Sequence, residues 1–258
     1  MLLDRGEVDP DRADNDGQTP LLCATWNGHA GVVKMLLERE EVSPDRPQNS
    51  GGTPLQCAAF NGHEEVAKIL LERDQVNPNK PDSDGRTPLW CATWNGHAGV
   101  VKMLLEREEA TIDKPDNDGR TPLWGAAWSG HEGVVRKLLE GGKANPDTPD
   151  NDGRTPLWCA AWKEHEGVAQ VLLERDEVNL DKRDNYGRTP LCYAALHGHT
   201  AVVKLLLGHN VVNPSKPHDS RTPLWCAAWR GHAGVVKMLL ERDDVNPVKP
   251  HTLGRTPL

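Results

Sequence analysis

Residues 87–120 read TPLWCATWNGHAGVVKMLLEREEATIDKPDNDGR. Thr87 carries a side-chain oxygen suited to capping a helix. Pro88 suits the first helical position, where its missing N–H breaks no hydrogen bond. The spacing predicts a short helix through Leu89, Trp90, Cys91, Ala92 and Thr93. It closes at Asn95-Gly96, because glycine enters the left-handed region freely. His97 and Ala98 lead into a second helix, whose Val100, Val101, Leu104 and Leu105 share one apolar stripe. Asp113-Lys114-Pro115 and Asn117-Asp118-Gly119 then break helix and turn the chain. The stretch is helix, tight turn, helix, projecting turn.

Its opening tripeptide, Thr-Pro-Leu, recurs at Thr19, Thr53, Thr87, Thr121, Thr155, Thr189, Thr222 and Thr256. Six of the seven steps are 34 residues, and the step from Thr189 to Thr222 is 33. A fixed period of this length implies like units that stack on their neighbours, an all-α solenoid. A tetratricopeptide array has a similar period. Its long helices are incompatible with a helix-opening proline and Asn-Pro-Asp segments in nearly every unit. The expectation is a single domain over residues 1–258. About seven full repeats start near Thr19, Thr53, Thr87, Thr121, Thr155, Thr189 and Thr222, with partial units at 1–18 and 256–258. Met1-Leu2-Leu3 aligns with Met35-Leu36-Leu37, and the sequence closes on Thr256-Pro257-Leu258. That register suggests a slice of a longer array, or ends that associate end to end.

Thr-Pro-Leu followed by Ala-Ala, Gly-His, Val-Val and Leu-Leu resembles the ankyrin repeat. The wording Leu-Leu-Glu-Arg, Val-Asn-Pro and Gly-Arg-Thr-Pro-Leu is similar to fungal ankyrin arrays such as the C-terminal arms of NOD-like (STAND) proteins. The resemblance implies helix-turn-helix repeats with projecting β-turn or hairpin loops, protein binding on a concave face, and no catalysis. It also implies a histidine after Thr-Pro-Leu that ties adjacent repeats by hydrogen bonds. Here that position holds Leu22, Gln56, Trp90, Trp124, Trp158, Cys192 and Trp225. Apolar stacking is expected to replace the polar tie in at least four repeats.

The formal net charge is −8 and basic residues are scattered, which disfavours nucleic acid as a partner. No apolar run approaches the roughly 18–20 residues that span a membrane, and the N-terminal wording is not that of a signal peptide. A soluble, intracellular (cytoplasmic) protein is the expectation. Of the six cysteines, Cys23, Cys57, Cys91, Cys159 and Cys226 share one repeat position; the sixth is Cys192. Equivalent residues of stacked helices lie about 8–10 Å apart, too far for a disulfide. Unpaired, buried thiols are expected.

Candidate binding residues come from comparing the repeats. Seven positions past each Thr stand Trp26, Phe60, Trp94, Trp128, Trp162, Leu196 and Trp229. By the resemblance this position faces the groove, an aromatic ladder with one rung per repeat. The next position varies most: Asn27, Asn61, Asn95, Ser129, Lys163, His197 and Arg230. Turn tips vary as well, with Tyr186 at one and a shortened His218-Asp219-Ser220 at another. The series Trp90, Trp124, Trp158 and Trp225 is expected inside, between repeats. Two other readings of the rungs stay open. They form an aromatic cage for methyl-lysine or a cationic peptide, or they only stack, in a spring or assembly module without a ligand.

His29, His63, His97, His131, His165, His199 and His232 recur too far apart to share a metal, and are expected to open the second helix with local hydrogen bonds. Asp-Asn-Asp-Gly lacks the ligand spacing of a calcium loop, since Lys114 stands five residues before Gly119. Arg86, Arg120, Arg154, Arg188, Arg221 and Arg255 flank the turns and either brace aspartates or meet a ligand. No phosphate loop, serine elbow or zinc-protease motif appears, so no enzyme and no cofactor is expected. Glu164 stands where other repeats end the short helix with glycine. It is expected either to accept a left-handed conformation, at ~1–2 kcal/mol, or to alter that turn.

Overall fold

In a computed structural model of the chain, residues 9–215 and 221–245 are described; expectations about the two ends and the shortened tip at 218–220 fall outside them. The described residues hold fourteen α-helices in seven pairs. Their bounds are α1 Pro20–Trp26, α2 Ala30–Leu37, α3 Pro54–Asn61, α4 Glu64–Leu71, α5 Pro88–Trp94, α6 Ala98–Leu105, α7 Pro122–Ser129, α8 Glu132–Leu139, α9 Pro156–Lys163, α10 Glu166–Leu173, α11 Pro190–His197, α12 Thr200–Leu207, α13 Pro223–Arg230 and α14 Ala233–Leu240. This is an all-α solenoid fold. It divides into two compact units, Met1–Pro122 and Leu123–Leu258.

Local chemistry sets the helix starts. Thr19, Thr53, Thr87, Thr155, Thr189 and Thr222 are extended N-caps, and each Oγ1 accepts the backbone N–H three residues on at 3.2–3.3 Å. Such a cap is worth about 1 kcal/mol. Seven- and eight-residue helices are too short to stand alone in water, so packing must hold them. In the first unit α1, α3 and α5 stack in order, as do α2, α4 and α6; in the second, α9, α11 and α13 stack, and so do α8, α10, α12 and α14. The stripe predicted for α6 supplies core: Val100, Val101 and Leu104 are buried, and Leu105 is partly so.

The turns between repeats are zipped to their neighbours. Asn49 donates its backbone N–H to Asp16 O at 3.0 Å and its Nδ2 to Asn15 O at 2.9 Å. Asn117 repeats the pattern on Asp84 and Ser83, and Asn185 on Asp152 and Asn151. Behind the tips, Arg46 Nη1 bonds Asp11 Oδ2 at 3.0 Å and Lys80 Nζ bonds Asp45 Oδ2 at 2.9 Å. The polar loops thus hold the spacing that the apolar helices fill.

Candidate functional site

The short helices α5, α7, α9 and α13 carry the two aromatic series four residues apart, so the pair shares one helix face. Trp90 and Trp94 stack with ring centroids 5.0 Å apart and planes 10° off parallel, and Trp124 and Trp128 at 5.2 Å and 11°. Trp225 and Trp229 stack at 5.3 Å. One ring lies inside and the other at the rim. Trp90, Trp124 and Trp158 are buried, Trp124 to 3% exposure, while Trp225 is half-buried. Of the rungs, Trp26, Phe60 and Trp229 are 50%, 41% and 61% exposed, and Trp94, Trp128 and Trp162 are half-buried. Rungs also meet across repeats: Trp26 stacks on Phe60 at 5.8 Å, and Trp128 meets Trp162 edge-on at 5.3 Å.

The inner series also corrects an expectation. The polar tie between repeats survives without histidine. Trp90 donates its indole N–H to Arg120 O at 3.0 Å, and Trp124 to Arg154 O at 2.9 Å. Gln56 reaches Arg86 O in the same way and completes a capping box with Thr53. Only an N–H in the right place is needed, and indole and carboxamide both carry one. Trp158 is the exception: its Nε1 is buried with no hydrogen-bond partner. Its ring lies instead against Tyr193, 4.4 Å away and tilted 59°, where Cys192-Tyr193 exchange places relative to other repeats.

The recurring histidines do open the second helices, but their side chains make no local cap there. The rings of His63, His97, His165, His199 and His232 reach the preceding repeat and pin the carbonyl at its rung position. His63 Nε2 meets Trp26 O at 3.0 Å, His97 meets Phe60 O at 3.0 Å, His165 meets Trp128 O at 3.0 Å, and His199 meets Trp162 O at 2.9 Å. Gly28, Gly62, Gly130 and Gly198, which close their short helices, leave room for this contact. Gly62 has φ +73°, and a Cβ there would sit 2.4 Å from His97 Nδ1. Glu164 breaks the rule, and of the two outcomes open to it the structure shows the left-handed one, with φ 59° and ψ 33°. Its carboxylate turns to His199 Nδ1 at 3.2 Å.

The turn arginines brace aspartates. Arg154 Nε bonds Asp150 at 2.7 Å and Arg188 Nε bonds Asp184 at 2.8 Å, both carboxylates being buried. Turn guanidinium groups also lie over aromatic faces. Arg154 is 5.6 Å from the Trp158 centroid, Arg188 is 4.5 Å from Tyr186 and 4.6 Å from Tyr193, and Arg221 is 4.7 Å from Trp225. Tyr186 is 60% exposed at its tip.

The position after each rung divides by unit. In the first, Asn27, Asn61 and Asn95 turn Nδ2 back onto the carbonyls of Cys23, Cys57 and Cys91 at 2.8–3.0 Å, capping their own helices. Asn95 thereby has a structural role beside its place on the face. In the second unit Ser129 is half-buried, and Lys163, His197 and Arg230 are exposed. Lys163 Nζ stands 4.2 Å over the Trp128 ring, and the Arg230 guanidinium 5.1 Å from Trp229. Although His197 is exposed at its edge, partial desolvation where its ring lies on Trp162 and Tyr193, then nearby His199, Arg230 and His232, hold its imidazole below the ordinary histidine range. In the first unit a cleft of about 290 Å³ opens between rungs, lined by Trp26, Phe60, Trp90, Gln56, Asp82 and Arg86.

None of the six cysteines is in a disulfide; five are buried, and Cys23 is exposed, against expectation. Burial pushes the thiols of Cys57, Cys91 and Cys226 up to about 12. Among the described residues no His, Cys, Asp and Glu side chains gather to hold a metal ion, and no helix is long and apolar enough to cross a membrane.

A family model for ankyrin repeats (3 copies) matches residues 41–116, 108–184 and 176–249, and one for ankyrin repeats (many copies) matches residues 1–37. The chain belongs to the ankyrin-repeat family. Ankyrin repeats are in general protein–protein interaction modules and typically non-catalytic. No curated protein matches the chain. Against the ankyrin pattern, two features of this array were legible and overlooked. The four-residue spacing of Trp90 and Trp94 already placed them face to face. A tryptophan after Thr-Pro-Leu already offered the N–H that the family's histidine supplies.

Proposed function

We propose that this ankyrin array is a non-catalytic scaffold that binds a protein or peptide partner on its concave face. The contact residues would be the rungs Trp26, Phe60, Trp94, Trp128, Trp162 and Trp229, the variable Asn95, Ser129, Lys163, His197 and Arg230, and Tyr186 at a turn tip. The setting fits an intracellular recognition arm, in line with the resemblance to fungal NOD-like arrays. One observation carries the reading. Trp26, Phe60 and Trp229 expose 41–61% of their surface, although their backbones are held by the helix and, for Trp26 and Phe60, by a histidine pin. Rigid, half-solvated aromatics are the side chains that dominate interface energetics. A purely structural spring would bury them.

The aromatic-cage alternative needs ring faces left open for a ligand cation. In the second unit the protein's own cations stand over them: Lys163 on Trp128, and Arg221 between Trp225 at 4.7 Å and Trp229 at 5.9 Å. That occupancy favours the scaffold reading.

Selection of a random-peptide display library on the immobilised chain tests the proposal. Truncating an aromatic anchor costs about 2 kcal/mol or more. A Trp26→Ser/Phe60→Ser/Trp229→Ser variant should therefore lose selected ligands while keeping its helical signal. Ligands that bind the variant as well as the wild type would overturn the assignment of this face.

A further inference from the structure

The second unit carries a row that the first lacks. Lys163, His197 and Arg230 end α9, α11 and α13, at the same repeat position on three helices that pack in sequence. None of the equivalent asparagines of the first unit bears a charge, and each bends back onto its own helix. Lys163 and Arg230 are exposed and have no carboxylate partner among the described residues, whereas the neighbouring Asp150 and Asp184 are already bonded by Arg154 and Arg188. Glu164, beside the row, faces His199. The row is thus locally basic on a chain of net charge −8. It is also floored by aromatic rings: Lys163 lies on Trp128 and Trp162, His197 on Tyr193 at 5.8 Å, and Arg230 on Trp229. Those contacts limit where the cations sit, which lowers the ordering cost of binding.

We propose that Lys163, His197 and Arg230 dock an acidic segment of the partner in extended conformation, with a carboxylate at every third residue. This rests on the binding face proposed above and names its ligand class. The spacing follows from the fold. Adjacent packed helices stand about 8–10 Å apart. A polyproline-type strand rises ~3.1 Å per residue with three residues per turn, so every third side chain points the same way about 9 Å further on. Lys163 and Arg230 each pair with one carboxylate, and the His197 ring donates a hydrogen bond to the middle one. A long polyanion would meet the net negative charge of the whole chain, whereas a short acidic segment meets only the row.

The test uses the full chain and a labelled peptide of three Pro-Pro-Glu triplets, which is stiff and presents its glutamates on one side. Binding that weakens from about 0.05 to 0.5 M salt is expected, with none by the Pro-Pro-Lys counterpart. Lys163→Glu/Arg230→Glu should weaken it about tenfold, and Lys163→Gln/Arg230→Gln by less, since each rim pair contributes only a small factor. Unchanged melting of both variants keeps the loss assigned to the row. Equal or tighter binding of the lysine peptide overturns the proposal, as does indifference to charge reversal. So does binding of a single-stranded oligonucleotide where the acidic peptide fails. If display-selected ligands need the rungs but are neither acidic nor sensitive to charge reversal, this inference fails and the binding face stands. If no selected ligand needs the rungs, the face itself fails.

Discussion

Trp124 gives its indole N–H to the carbonyl of Arg154 at 2.9 Å, one repeat further along. The equivalent indole of Trp158 is buried and gives its N–H to nothing. The two residues form a natural comparison, because one ring is both packing and tether and the other is packing alone. Replacing each by phenylalanine removes similar volume. Arg154 O still accepts Asp150 N at 3.0 Å after the change, so Trp124→Phe loses one hydrogen bond, about 0.5–1.5 kcal/mol beyond the loss for Trp158→Phe. Thermal unfolding should place Trp124→Phe roughly 2–4 °C below Trp158→Phe. Equal melting temperatures would remove the tether.

Glu164 holds a left-handed backbone that costs a side-chain-bearing residue ~1–2 kcal/mol. Glu164→Gly should therefore raise the melting temperature, by less than the full strain because glycine loses more freedom on folding. Gly198→Ala should do the reverse, since its Cβ would sit 2.5 Å from His232 Nδ1. A lower melting point for Glu164→Gly than for wild type would show that the contact with His199 outweighs the strain.

His197 predicts a sign for pH dependence. Its folded pKa lies below the unfolded value of 6.5, chiefly because its ring is partly desolvated. As pH falls through about 6.5 the unfolded chain takes up this proton first, so stability drops until the folded pKa is passed; well above 6.5 the residue contributes no pH dependence. Between about pH 7.5 and 5.5 the wild type should lose more melting temperature than His197→Asn. Parallel slopes would remove His197 as the source.

Thiol accessibility separates Cys23 from the rest. A water-soluble thiol reagent should modify Cys23 quickly in the native protein and reach the other five only after denaturation. Rapid native labelling of Cys91 or Cys159, both buried in short helices, would contradict the packing of α5 or α9.

The fold was legible because its signals are local. Thr87, Pro88 and Gly96 act within one turn of backbone, and their recurrence reports stacking without any knowledge of the neighbours. The inside position of Trp90 and Trp124 followed from the same logic. What escaped was contact between repeats. The ring of His97 bonds Phe60 O, a backbone atom 37 residues back, and no pattern within one repeat points to it. The exposure of Cys23 escaped for a related reason: burial of that position depends on what lies over the repeat, not on the residue. The candidate site was half legible. The variable Lys163, His197 and Arg230 stood out by comparison of repeats, while the inward turn of Asn27, Asn61 and Asn95 needed coordinates.

The histidine pins carry a consequence for the length of the array. The offset from ring to carbonyl is 37 residues at His63, His97, His165 and His199, and 36 at His232, which bonds Leu196 O at 3.0 Å across the one short step. The missing residue leaves the pin intact. The junction is a standard coupling: it recognises a backbone atom present in every copy and ignores side-chain identity. Whole copies are therefore interchangeable parts. A duplication or loss of one 34-residue module presents each histidine with the same acceptor, and the array can change its reach and its sequence of rungs without redesign of any joint.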